Sequence, residues 1–436
     1  MKITGISILS ALLISAALPA KAETWSLDSC INYAIDHNLD VRSALIERYK
    51  GDLNVTEAKD RFLPTLSASA AQSWSFGRGL TSENTYANRN TSSTGFNVSF
   101  SLPIFQGLSA LRQLRQAQAN IHTLDLRVEN AKDDVTLGVI AYYLQVLYSR
   151  EIVSVRKEEL RLAQTQLERQ QILFEGDKVP EVDVLQAKSQ VASSQVAVVN
   201  AENDYSLALV DLTRALELKG TEDFDVEPID LDGELPRLAS ADEVYKNALN
   251  NNSGILAARS SVGLADHAIS IAKTGYIPKL SFNAGLGSNY YTMSGMPSNS
   301  FGRQMRDNFS KSLGFSLNVP IFDAFNTRNQ IRQARAQKLS AELELERQES
   351  NLLKTIRQAH SQAEGAEAQY RAGETAVTSA KAALDAMTEK FTYGRANATE
   401  WEQARSNYIT TLSQQVQAKY EMILRNRILN FYNKVR

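Results

Sequence analysis

From Leu66 onward, apolar and small polar residues alternate. Leu66, Ala68, Ala70, Trp74 and Phe76 fall on one face, and Ser67, Ser69, Ser73 and Ser75 on the other. A second such segment sets Phe96, Val98, Phe100 and Leu102 against Gly95, Asn97, Ser99 and Ser101. The pattern returns later in the chain. Leu280, Phe282, Ala284 and Leu286 oppose Ser281, Asn283, Gly285 and Gly287, and Leu313, Phe315, Leu317 and Val319 oppose Ser312, Gly314, Ser316 and Asn318. A period of two over about ten residues, with a small polar second face, predicts transmembrane β-barrel strands. A half-buried soluble sheet would show the same alternation.

Elsewhere the period is helical. A helical stretch is expected over Ser26 to Phe62. Between Phe105 and Phe174 there is no proline, and only Gly107 and Gly138 interrupt. About 70 helical residues at about 1.5 Å each would reach roughly 105 Å. Val139, Val146, Val153, Leu160, Leu167 and Phe174 recur every seventh position. A returning helix, expected over Glu181 to Lys219, carries Val184, Val191, Val198, Tyr205 and Leu212 at one seam position. Ala187, Ser194, Ala201, Ala208 and Ala215 take the other. That spacing is a coiled-coil seam, repeated by Trp401, Tyr408, Met422 and Leu429.

The chain is internally duplicated. Ser26, Asp28, Ala34, Asn38 and Val41 match Ser240, Asp242, Ala248, Asn252 and Ile255 at an offset of 214. Pro103-Ile104-Phe105 matches Pro320-Ile321-Phe322 at 217, and that register still holds for Gln186-Ala187-Lys188-Ser189 against Gln403-Ala404-Arg405-Ser406. A repeat of this length marks two copies of one structural unit. The organisation expected is a signal peptide over 1–22, a first repeat over 23–220, a linker over 221–239 and a second repeat over 240–436. Each copy reads as helix, Pro, two strands, and a second Pro opening the long helix.

The N-terminus explains how strands could meet a membrane. Lys2, the apolar run Ile3 to Leu18 and Ala20-Lys21-Ala22 read as a secretory signal with a cleavage site. No other stretch approaches the roughly 20 apolar residues of a spanning helix. Four strands cannot close a barrel, which needs about eight, and an open edge is not tolerated in lipid. The subunit is therefore expected to share its barrel with copies of itself. The loops Gly77 to Ser92 and Ser288 to Phe309 would face outside the cell. Cys30 is a lone cysteine, read as a buried small residue on the first mature helix.

Composition narrows the function classes. The 47 basic and 49 acidic residues nearly cancel, which leaves no electrostatic footprint for nucleic acid. The histidines, His37, His122, His267 and His360, are scattered without metal-ligand spacing. Gly77-Arg78-Gly79 lacks the strand–turn–helix setting of a phosphate loop. No enzyme activity, cofactor or metal is expected.

The duplication, the Pro-bracketed strand pairs, the Pro-Ile-Phe motifs and the turns Phe174 to Ala187 and Phe391 to Ala404 together resemble the TolC-type outer-membrane efflux family across the mature chain. The resemblance implies an α+β membrane protein with four transmembrane strands and long coiled-coil tunnel helices per subunit. Three subunits would form a twelve-stranded barrel continuing into an α-helical periplasmic tunnel. It also implies a passive exit duct of a tripartite efflux or type I secretion system, working with a periplasmic adaptor (membrane fusion protein) and an inner-membrane RND or ABC transporter.

The turns farthest from the strands would then be periplasmic tips, with Gly176, Asp177, Val179, Tyr393, Gly394 and Arg395 as candidate adaptor contacts. In the family a helix-breaking glycine is followed six residues on by an acidic residue at the closed aperture. Gly394 and Glu400 keep this spacing. In the first copy Gly176 stands one residue early and Asp183 follows it by seven, so the candidate gate residues are Glu400 and Asp183. The family's second carboxylate is Gln403 here. Glu400 equally suits an ordinary helix-start carboxylate favoured by the helix dipole. The alternative readings of the whole chain are a periplasmic adaptor, with one hairpin flanked by β-domains, or a soluble coiled-coil scaffold.

Overall fold

The computed structural model describes residues 23–80, 84–220, 224–229 and 238–433. The expected signal peptide, 1–22, lies outside them, as do residues 81–83, 221–223 and 230–237. The chain forms two compact units, each drawing on both halves of the sequence. One holds the residues up to Arg42, Ala131–Ala248 and Leu353 onward; the other holds Ser43–Asn130 and Leu249–Leu352.

In chain order the first half contains β1 (Glu23–Trp25), α1 (Leu27–His37), α2 (Leu39–Asp60), β2 (Thr65–Ser75), β3 (Arg78–Leu80), β4 (Tyr86–Asn88), β5 (Thr91–Phe105), α3 (Ser109–Glu175) and α4 (Glu181–Ala215). After β6 (Phe224–Val226), the second half contains α5 (Ala241–Asn251), α6 (Ser253–Ala272), a 3-10 turn (Lys273–Tyr276), β7 (Lys279–Met293), α7 (Phe301–Asp307), β8 (Ser310–Asn318), α8 (Asn326–Thr392) and α9 (Ala398–Asn433). The duplication persists in the boundaries. α3 and α8 are both 67 residues long, and α1 and α5 both 11.

The expected Ser26–Phe62 helix is two helices, because Asn38 interrupts it. Its backbone is extended (ψ 137°), and its side-chain Oδ1 accepts from Asp40 N at 2.8 Å, starting α2. Asn252, its counterpart, accepts from Ile255 N at 3.0 Å and starts α6. Asparagine offers the helix start a side-chain acceptor that competes with helix continuation.

Pro-Ile-Phe does not open the long helices. Pro103-Ile104-Phe105 ends β5, with a register shift between Pro103 and Phe105, and proline fits such an irregularity because it has no N–H to give the ladder. Two left-handed residues follow, Gly107 (φ 62°) and Leu108 (φ 66°), and α3 starts at Ser109. In the second copy Ala324 (φ 53°) and Phe325 (φ 63°) make the same pair before α8. The return helix stops at Ala215 rather than Lys219. Glu217 (φ 57°) reverses the chain there, and Leu218 N donates back to Thr213 O at 2.9 Å, a Schellman-type closure.

In the helical unit, α1, α3, α4, β6 and α9 share one core. Cys30 and Ala34 of α1, Val139, Tyr143 and Val146 of α3, and Leu212 of α4 are essentially inaccessible. Burial pushes the Cys30 thiol up to about 12. β1 and β6 pair in parallel, Trp25 opposite Val226. The buried Tyr143 hydroxyl ties the two strands together at their C-terminal ends, 2.7 Å from Glu227 O and 3.1 Å from Trp25 O. The linker expected over 221–239 thus carries a strand that fastens the chain's first described residues. The α4 seam buries Ser194, Val198, Ala201, Ala208 and Leu212. Along α3 the expected row drifts: beyond Val146, burial passes to Val155, Ala163 and Gln170, leaving Leu160 and Leu167 half-buried.

In the second unit, β2, β5, β7 and β8 form one antiparallel sheet in that order. The alternation is in register across it. Leu66 stands opposite Phe100, Phe100 opposite Ala284, and Ala284 opposite Leu313. The next row is Ser67, Ser99, Gly285 and Ser312. Phe282 links Phe100 (ring centroids 6.2 Å) to Phe315 (5.2 Å) on the apolar face. On the polar face Ser67 and Ser99 hydroxyls are 2.7 Å apart, and Ser101 Oγ donates to Asn283 Oδ1 at 3.0 Å. A one-residue slip would exchange the faces, so both sets of contacts fix the register.

The loop segments are more ordered than expected. β3 and β4 make a hairpin within Gly77 to Ser92, and Ser288 to Phe309 holds the end of β7 and all of α7. β8 pairs with β7 only as far as Ser310 opposite Gly287. Beyond it, side chains replace the missing strand. Asn308 Nδ2 donates to Asn289 O at 2.7 Å, and the Gln304 amide both accepts from Tyr291 N (2.9 Å) and donates to Tyr291 O (3.0 Å).

Candidate functional site

Two places carry the candidate function: the turns at the ends of the long helices, and the apolar face of the sheet. The α3–α4 and α8–α9 turns have one backbone design. Asp177 (φ 54°) and Gly394 (φ 68°) are the left-handed residues. Lys178 N donates to Leu173 O at 2.9 Å, and Arg395 N to Lys390 O at 2.8 Å. The first turn therefore does not stand one residue early. Asp177, not Gly176, takes the position of Gly394, since aspartate tolerates this backbone better than most side chains. Asp183 and Glu400 then both follow the left-handed residue by six.

Their surroundings differ. Glu400 is exposed and makes a reciprocal capping box: Asn397 N donates to its Oε2 at 2.9 Å, and Glu400 N to Asn397 Oδ1 at 2.8 Å. In the first turn the corresponding position is Pro180, which has no N–H and makes no side-chain cap. The Asp183 side chain instead borders a cleft of about 210 Å³ lined also by Gln166, Gln170, Gln186, Trp401 and Glu402. Gln170 is 3% exposed, and its Oε1 has no hydrogen-bond partner. Val179 is half-buried; Tyr393 is 72% exposed, and Gly176, Asp177 and Arg395 are exposed too.

Sequence reasoning missed the side chains that tie these turns together. Arg169 of α3 lies with its guanidinium 4.5 Å from the Phe391 ring centre. It donates to Phe391 O at 2.7 Å, capping one carbonyl in the last turn of α8, and to Thr392 Oγ1 at 3.1 Å. Burial pushes its pKa down from the usual arginine value. Trp401 Nε1 donates to Thr388 Oγ1 at 2.9 Å, and its ring stacks with Phe391 at 6.2 Å. Arg405, 2% exposed, is paired by Glu402 and lies 3.8 Å from Glu159. Asn397 and Glu400, three apart just before the α9 seam that opens at Trp401, were a readable capping signal.

On the sheet, Leu66 (72%), Leu313 (78%), Phe315 (71%) and Leu317 (64%) are exposed on one face. A contiguous apolar face of this kind marks contact with lipid or another protein. β2 and β8 are open edges, with no strand beyond either among the described residues.

Known proteins resemble this chain along most of its length. The chain is 25% identical over 424 residues to the outer membrane protein TolC of Vibrio cholerae, covering 95% of this chain and 92% of that protein. It is 23% identical over 373 residues to the outer membrane efflux protein BepC of Brucella suis, covering 86% and 77%. The CmeC outer membrane channel of Campylobacter jejuni superposes with a TM-score of 0.76 at 17% identity, covering 99% of this chain and 94% of that one. The profile of the outer membrane efflux protein family matches twice, over residues 30–217 and 244–430. The chain belongs to the outer membrane efflux protein family.

Proposed function

We propose that this chain is one of three identical subunits of an outer-membrane exit duct for efflux or type I secretion, with its helices forming a tunnel in the periplasm. The observation that carries the trimer is the four-stranded sheet with one apolar face and two open edges. In lipid both edges need partners. Three copies joined β8 to β2 give twelve strands and leave none unpaired. The polar face, rich in serine and glycine, would line the lumen.

The exposed turns, with Gly176, Asp177, Val179, Tyr393, Gly394 and Arg395, are the surface offered to a periplasmic adaptor, which would bridge to an inner-membrane RND or ABC transporter. Glu400 and Asp183 are the proposed aperture carboxylates. Residues 23–220 and 240–436 are the two proposed structural repeats, and each contributes to both compact units. The mature chain, extracted in mild detergent, should have the mass of three subunits. A stable monomer with its full β content would overturn this reading.

A further inference from the structure

Near the end of the sheet farthest from the long helices, the apolar face changes character. Lys311 stands opposite Leu286, in the same β8 row as Leu313, Phe315 and Leu317. It is the one charged side chain in the apolar rows of β2, β5, β7 and β8 among the described residues. Its Nζ lies 5.6 Å from the centre of the Phe309 ring. Just beyond, α7 rests on this same face. Ser288 and Tyr290 continue the row of Phe282, Ala284 and Leu286. Ser288 Oγ donates to Met305 O at 2.6 Å, and the Tyr290 ring meets Phe301 edge-on at 5.2 Å.

α7 brings two further cations. Arg303 faces Asp307 at 3.7 Å, so that pair is neutral. Arg306 is exposed and has no acidic partner among the described residues. Phe301 and Phe309, 49% and 51% exposed, flank these charges. A cation on a lipid-facing row is costly at mid-membrane and nearly free at the interface, so Lys311 marks the height at which hydrocarbon gives way to headgroups. Two unneutralised cations beside exposed aromatic rings at that height complement an anionic headgroup carrying acyl chains.

We infer that α7 and the start of β8 form a docking surface for a phosphorylated lipid of the outer leaflet, with Arg306 and Lys311 contacting phosphate and Phe301 and Phe309 contacting acyl chain. This rests on the proposed duct, which makes the apolar face the lipid face.

The test uses the purified full-length channel in nanodiscs containing diphosphorylated lipid A, or the same lipid with its phosphates removed. The parent should retain the phosphorylated lipid through delipidation at least fivefold better than the dephosphorylated one. Arg306→Gln/Lys311→Gln should abolish that preference, Arg306→Lys/Lys311→Arg should keep it, and Arg303→Gln should leave it unchanged. Inorganic phosphate should not displace the lipid. Equal retention of the two lipids by the parent overturns the inference, as does an unchanged preference in the Gln variant or full displacement by inorganic phosphate. Subunit mass and single-channel conductance of the same samples test the duct separately and should not differ between parent and Gln variant.

Discussion

Asp177 and Gly394 hold the same left-handed place in the two interhelical turns, with φ of 54° and 68°. Gly176, beside Asp177, does not use glycine's freedom. A Cβ there would sit 3.6 Å from the Ile172 and Leu173 carbonyl oxygens, an ordinary contact. At Gly394 nothing lies within 4 Å of an added Cβ, so only the backbone resists a side chain. Gly176→Ala should be neutral or stabilising, since alanine is the better helix residue by about 0.5–1 kcal/mol. Gly394→Ala should cost about 1–2 kcal/mol, and Asp177→Gly should recover part of the aspartate's strain. Chemical unfolding midpoints in detergent give the order; a larger loss at Gly176 than at Gly394 would show that the glycine, not the register, defines the turn.

The two faces of β5 predict opposite tolerance. Phe100→Arg puts a charge among Leu66, Phe282 and Ala284, at a cost of roughly 2–4 kcal/mol at mid-membrane. Ser99→Arg, on the row of Ser67 and Gly285, should be accepted far better. Heat-resistant oligomer recovered from the outer membrane is the readout, and equal recovery of both variants would mean the faces are assigned wrongly.

Capping and gating at Glu400 can be separated. Glu400→Gln keeps a side chain able to complete the box with Asn397 but removes the charge, so it should alter cation selectivity and divalent block without loss of stability. Asn397→Ala should do the reverse, costing about 0.5–2 kcal/mol with block unchanged. Single-channel recordings with and without divalent cations, beside unfolding curves, decide the matter. Were Glu400→Gln to conduct like the parent in both conditions, the carboxylate would be a helix cap alone.

Acid sensitivity should enter where α8 begins. Thr327 donates its backbone N–H to Asp323 Oδ2 at 2.7 Å, and Thr327's side chain and backbone hold the Asp323 carboxyl below its usual range. A carboxylate with a depressed folded pKa contributes stability that is complete above its unfolded value, about 3.9. That contribution is lost as pH falls through the folded value. Asp323→Ala should flatten the stability curve of the detergent-solubilised protein below about pH 4. Parallel curves for variant and parent would remove Asp323 from the account.

The strands were legible because period-two alternation shows within a short local window, as Phe96 to Leu102 demonstrates. The duplication was legible because register is conserved even where residues are not. The break at Asn38 was hidden by the helical pattern running on either side of it, although its repetition at Asn252 held the clue. The turn at Asp177 was misplaced because a nearby glycine is a stronger written signal than an aspartate that adopts the same φ. Arg169 and Phe391 meet across 222 residues of sequence, and no local pattern records such a meeting. The side-chain cap on β7 was out of reach for the same reason: Gln304 reads as one polar residue in a loop.

That cap has a consequence for assembly. With Tyr291 N and O both engaged by the Gln304 amide and Asn289 O by Asn308, the upper edge of β7 offers an incoming chain nothing to zip onto. A misfolded or stray strand meets a blunt end there. In the proposed trimer, the stretch where sister chains knit together would then be confined to the free flanks of β2 and β8, with Gln304 and Asn308 as its stop.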